Sequence, residues 1–186
     1  MMRATRRAIE TAIAVGLAAA LAGCATGMTA GAYRERGVDF SRYRTFAWEP
    51  ADALPTGDPR LDANPYFNDR FMGAVERGLA ARGFALVDAG SPDLRIHYHA
   101  SVSRRPDGNR LDAEYGNCVG DDCPTGVVEY EAGTLVLDII DARNDRLVWR
   151  GWARDSIEDV LGDRDRLERM IDDAVARMLQ HLSRDL

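Results

Sequence analysis

Three sets of side chains in this sequence have types and spacings that could support chemistry. Cys24 closes the tetrapeptide Leu21-Ala22-Gly23-Cys24. A thiol there can be alkylated to a diacylglycerol thioether, and the small residues before it leave the preceding peptide bond open to a protease. Two or more acyl chains on one residue anchor a protein stably, whereas a single chain holds only marginally. Cys118 and Cys123 are separated by four residues that include Gly120. In an exported chain that pair is expected to close as a disulfide. So short a loop gains little chain entropy, so the bond would stiffen a loop without holding the domain up, and redox catalysis calls for the tighter Cys-x-x-Cys spacing. His97 and His99 lie two apart. On a strand they point the same way and, with Asp138 on a neighbouring strand, could hold a metal. The alternative for the histidines is an ordinary solvated sheet face, with Asp138 pairing with Arg150 across a hairpin as an exposed ion pair of small worth.

What precedes Cys24 gives that residue its meaning. Arg3, Arg6 and Arg7 make a positive start, and residues 9–21 form an apolar run broken only by Glu10 and Thr11. The run falls short of the ~20 residues needed to span a bilayer and fits a secretory signal. With the tetrapeptide it resembles the lipobox of bacterial lipoproteins, which implies removal of residues 1–23 and an acylated, usually triacylated, Cys24. The alternative is an ordinary cleaved signal with an incidental cysteine. Thr5-Arg6-Arg7 is similar to a twin-arginine signal, but Glu10 stands where that motif wants an apolar residue, so ordinary Sec export is expected. Ala25, in place of an Asp, implies an outer-membrane destination facing the periplasm.

Composition narrows the function classes. The chain has 186 residues and a net charge of −6, and loss of a leader carrying three Arg and one Glu would make it −8. Phosphate backbones repel so acidic a chain, which argues against nucleic acid as a partner. All 24 basic residues are Arg. At 46% hydrophobic the chain can bury a core. Neither a Gly-x-Ser-x-Gly elbow, a His-Glu-x-x-His pair nor a phosphate-cradling glycine loop occurs. No cofactor is expected.

The elements that would position these residues follow from pattern. Residues 24–37 are small and polar and read as a lipidated N-terminus and flexible tether with about 20 Å of reach, ahead of a single domain over 38–186. Tyr43 to Trp48 reads as a strand, residues 51–64 as loop. Asn64 and Pro65 open a helix whose stripe is Phe67, Phe71, Val75 and Leu79, closed at Gly83. Phe84 to Asp88 is a short strand. Residues 94–103 alternate, with Leu94, Ile96, Tyr98, Ala100 and Val102 inward and Arg95, His97, His99, Ser101 and Ser103 outward. Residues 104–125, which hold Cys118 and Cys123, read as a long excursion. Residues 127–141 and 146–157 form a hairpin. Its expected core side is Leu135, Leu137, Ile139, Leu147 and Trp149, and its outer side Thr134, Val136, Asp138, Arg150, Trp152 and Arg154. Asp163 caps a final amphipathic helix. The sum is an α+β two-layer sandwich: a mostly antiparallel sheet of about five strands with two helices packed on one face.

Residues 39–48 (Asp-Phe-Ser-Arg-Tyr-Arg-Thr-Phe-Ala-Trp), Leu79-Ala80-Ala81-Arg82-Gly83-Phe84, Pro92-Asp93-Leu94, and the hairpin residues 133–141 and 147–153 together resemble the bacterial lipoprotein family of the domain of unknown function 4136. The resemblance spans roughly residues 38–182. It implies an α+β domain facing the periplasm, and since the family has no established activity it brings no catalytic residues. The expected function is therefore non-catalytic: a lipid-anchored envelope protein that meets an envelope partner through Arg95, His97, His99, Asp138, Arg150, Trp152 and Arg154. An exposed Trp among arginines is enriched at interfaces, unless the N-terminal segment or the excursion covers it. The alternatives are a metal-dependent periplasmic enzyme using His97, His99 and Asp138, and a structural envelope component.

Overall fold

The computed structural model describes residues 27–49, 59–62, 64–88, 90–106 and 129–182. The leader, Cys24, Cys118 and Cys123 lie outside the described residues. In chain order the elements are β1 (Thr29–Arg34), a 3-10 turn (Phe40–Arg42), β2 (Thr45–Trp48), α1 (Pro59–Asp62), α2 (Pro65–Ala80), β3 (Ala85–Leu86), β4 (Leu94–Pro106), β5 (Glu129–Asp141), β6 (Arg146–Ser156) and α3 (Arg164–Leu179). Among the described residues no helix is long and apolar enough to cross a membrane.

Six strands form one sheet in the order β1-β6-β5-β4-β2-β3. The β1/β6, β6/β5 and β5/β4 pairs are antiparallel, while β2 runs parallel to both β4 and β3. The fold is α+β as expected, with one strand more than five. The added strand is β1, which occupies part of the expected tether. Its small residues carry little strand propensity. Pairing along β6, from Thr29–Arg154 to Arg34–Trp149, orders it instead. A single helical turn, α1, also stands where loop was expected.

The two long helices start where their caps place them. The Asn64 side chain accepts from the Phe67 N–H, and Asp163 accepts from the Arg166 N–H at 3.0 Å, each satisfying one donor that the first helical turn leaves open. The helices bury Phe67, Phe71, Ala74, Val75 and Leu79 from α2, and Leu167, Ile171, Ala174, Val175, Met178 and Leu179 from α3. These pack on Phe46, Leu94, Ile96, Leu137, Ile139, Trp149 and Ala153 of the sheet. One hairpin assignment changes. A β-bulge pairs Ile139 with Trp149 but Ile140 with Leu147, leaving Val148 as the extra residue. Val148 joins the core and Leu147 turns to the other side, half-buried, because an extra residue reverses the alternation beyond it.

Three of the stretches that carry the family resemblance, residues 39–48, 92–94 and 133–141, meet in one place. Asp39 caps the 3-10 turn by accepting from the Ser41 N–H. The turn delivers Tyr43 into the core, where its hydroxyl donates to Asp141 Oδ2 at 2.9 Å. Asp141 Oδ1 accepts from the Arg143 N–H at 2.9 Å and so shapes the β5–β6 turn. Burial, then the bond to Asp141, pushes the Tyr43 hydroxyl up to about 12. Next to it, Asp93 Oδ2 accepts from the N–H groups of Arg44 and Thr45, and Asp93 pairs with Arg143. The Arg44 bond above all holds the Asp93 carboxyl below its usual range. These signature residues form a latch tying the parallel edge of the sheet to the hairpin.

Candidate interaction face

The helices cover one side of the sheet. On the other, the register aligns side chains of β1, β6, β5 and β4 in rows: Tyr33, Arg150, Asp138 and His97; then Gly31, Trp152, Val136 and His99; then Thr29, Arg154, Thr134 and Ser101. The residues expected on this face are all there, because the period-2 alternation fixes which side each one takes.

Their environments differ more than alternation could show. Asp138 is only 5% exposed, and both its oxygens are held by Arg150, Nε to Oδ1 at 2.6 Å and Nη2 to Oδ2 at 2.6 Å. This two-pronged pair raises the Arg150 pKa, the bond to Asp138 being the main cause. The ion pair across the hairpin therefore forms, but its carboxylate is buried. Arg154 Nε donates to Thr134 Oγ1 at 3.2 Å. Arg95 is spanned between Glu49, at 3.2 Å, and Asp145. His97 Nδ1 lies 3.5 Å from Glu49 Oε2, and the His97 and His99 rings are 4.3 Å apart between centroids.

A metal would need a third ligand beside the two histidines. Asp138, the residue expected to supply it, is engaged by Arg150. Among the described residues no three His, Cys, Asp or Glu side chains group in a way that could hold a metal ion.

Trp152 is the most distinctive member of the face. A Cβ added at Gly31 would lie 2.8 Å from Trp152 Cζ2 and 2.9 Å from Cε2, so the indole rests on the bare backbone of its cross-strand partner. It is still 38% exposed. The N-terminal segment thus seats the ring without hiding it. Tyr33, in the next row, is 52% exposed, and its hydroxyl donates to Glu35, which also pairs with Arg146 at 3.2 Å. Tyr33, Gly31 and Glu49 were not among the residues expected here. The first two fell in the supposed tether, and Glu49 lies beyond the end of β2. A period-2 reading carried back from Tyr33 through Gly31 to Thr29 was the available signal, weakened by the lack of bulky side chains.

The model of the family "Domain of unknown function (DUF4136)" matches residues 31–182. No curated protein matches the sequence. Among solved structures, a DUF4136 family protein from Bacteroides thetaiotaomicron is similar with a TM-score of 0.52 and 11% identity, over 85% of this chain and 98% of that one. A PDZ domain protein from Parabacteroides distasonis is similar with a TM-score of 0.48 and 18% identity, over 83% of this chain and 36% of that one. A PelC dodecamer from Paraburkholderia phytofirmans is similar with a TM-score of 0.47 and 12% identity, over 82% of this chain and 95% of that one. At these identities the likeness is one of fold.

Proposed function

We propose that this chain, which belongs to the DUF4136 family, is a lipid-anchored envelope protein that binds a protein partner through the face built on β1, β6, β5 and β4. Acylation at Cys24 places it in the outer membrane, facing the periplasm, and its work there is recognition without catalysis. The observation that carries this reading is the seat of Trp152. The ring is held against Gly31 while 38% exposed, beside the exposed Tyr33 and the fixed guanidinium of Arg150. Trp, Tyr and Arg dominate the energetics of protein interfaces because they contribute large contact areas. Here two of the three are positioned before any partner arrives, which lowers the ordering cost of association.

The test is crosslinking in cells that make the full chain, with a photoreactive phenylalanine replacing Tyr33 and, as control, replacing the exposed Asp165 of α3. The expected result is a discrete adduct from position 33, absent from position 165 and lost when Trp152→Ala or Arg150→Glu is added. Equal labelling from both positions, or an adduct indifferent to Trp152 and Arg150, would remove the face from consideration.

A further inference from the structure

The structure changes how far the domain can stand from its anchor. Met28 is buried in the core cluster, and its carbonyl accepts from Arg177 Nη1 at 3.3 Å. Thr29 then enters the sheet beside Arg154. The chain is therefore pinned from Met28 onward, four residues after Cys24, and four extended residues span at most about 14 Å. The 13-residue tether read from composition is a leash of less than a third that length.

We infer that this leash sets the domain end-on against the lipid surface, with the end of the sheet where β1 begins lying nearest the headgroups. The inference rests on acylation at Cys24. The near end gathers the start of β1, the end of β6 and the loop that follows it. That loop packs against the start of β5, where the Ile157 N–H donates to the Glu131 carbonyl at 2.9 Å. The far end carries the turn after β1 and the β5–β6 turn, where the Glu35 N–H donates to the Val148 carbonyl and Glu35 pairs with Arg146. Between the ends runs β6, 11 residues long, or about 35 Å at 3.2–3.4 Å per residue.

Charge decides between standing and lying flat. The processed chain would carry −8. Anionic headgroups repel net negative charge over roughly a Debye length, so the domain extends away from the surface as far as the leash allows. Standing places the long axis of β6 across the gap. The face around Trp152 and Arg150 then points sideways, open to a partner standing beside it on the same membrane.

The stance is read by placing a fluorescent amino acid at each end of the acylated full chain. Gly162, in the loop after β6, has open space where a side chain would begin. Arg36, in the turn after β1, is exposed. The two proteins are reconstituted in vesicles of phosphatidylethanolamine with 30% phosphatidylglycerol and quenched with a headgroup spin label. End-on seating is expected to quench the probe at 162 at least threefold more than the probe at 36. Twenty Gly/Ser residues inserted after Ala25 should erase that ratio. Equal quenching of an acylated protein, or stronger quenching at 36, would overturn the stance and leave the anchor intact. A chain whose mass shows no acyl addition would overturn the anchor and the stance with it.

Discussion

Two tryptophans three residues apart on β6 have opposite fates. Trp149 points to the helices and is fully buried, while Trp152 points away from them and is 38% exposed. Each lies on a glycine. A Cβ at Gly151 would meet Trp149 Cη2 at 2.2 Å, and one at Gly31 would meet Trp152 Cζ2 at 2.8 Å. The odd spacing puts the rings on opposite sides of the sheet, and the depth of the surroundings does the rest. Asp138 and Asp141 repeat the contrast on β5. Both are 5% exposed, yet Asp141 binds a buried tyrosine and a turn N–H while Asp138 binds an arginine that reaches solvent. A buried carboxylate or a glycine-seated tryptophan does not by itself mark a functional site. The side of the sheet and the partner decide whether it stabilises the fold or prepares a surface.

The two rings should therefore separate stability from binding. Trp149→Ala removes a core side chain with nothing to refill the space and should cost about 4 kcal/mol in urea unfolding of the domain. Trp152→Ala should cost about 2 kcal/mol, because 38% of that residue is already in water, while abolishing the adduct from position 33. Equal costs would mean that Trp152 is also a core residue, and the claim that its face is free for a partner would fail.

The latch gives a smaller effect with its own pH signature. Tyr43→Phe leaves Asp141 without its hydroxyl partner and should cost about 1–3 kcal/mol near neutral pH. The folded protein holds the Tyr43 proton up to about 12, while an unfolded tyrosine releases it near 10. A raised folded pKa means that the tyrosine's contribution is fully present below about 10 and is lost as pH rises from there toward 12. Unfolding midpoints measured across that window should fall more steeply for the wild type than for Tyr43→Phe. Parallel pH profiles would show that the hydroxyl's environment does not differ between folded and unfolded chains.

How much of this could be read from the sequence follows from where each contact is made. The alternation in residues 94–103, 134–139 and 149–154 placed the outer side chains correctly, since a strand's period is set by its own backbone. The caps Asn64 and Asp163 were legible because each acts within three residues. β1 was not, because residues 29–32 bring little strand propensity of their own and are ordered by β6, more than a hundred residues away. The bulge at Val148 was hidden for a related reason: one added residue leaves a hydrophobic run looking continuous while reversing the side that Leu147 takes. The latch residues were visible as a resemblance, but their reason was not. The Tyr43–Asp141 bond joins residues 98 apart, and the Asp93 bonds join residues 48 and 49 apart. Local pattern carries no record of such contacts.

Gly31 offers the finest test of how Trp152 is held. In Gly31→Ala the new methyl meets the indole at 2.8 Å, and Trp152 sits at the surface, so the ring can swing aside. Alanine also recovers roughly 0.5–1 kcal/mol of the backbone entropy that glycine loses in a strand. The two effects oppose each other, so the net change in stability should stay within about 0.5 kcal/mol. The displaced ring, however, should become more open to acrylamide quenching and should no longer support the adduct from position 33. In a Trp152→Ala background the same substitution meets no ring and should stabilise by about 0.5–1 kcal/mol. The difference between the two backgrounds is the energy of the contact, free of the propensity term. A zero difference would mean that the ring does not rest on Gly31 in solution, and the preorganised seat on which the binding reading depends would have no basis.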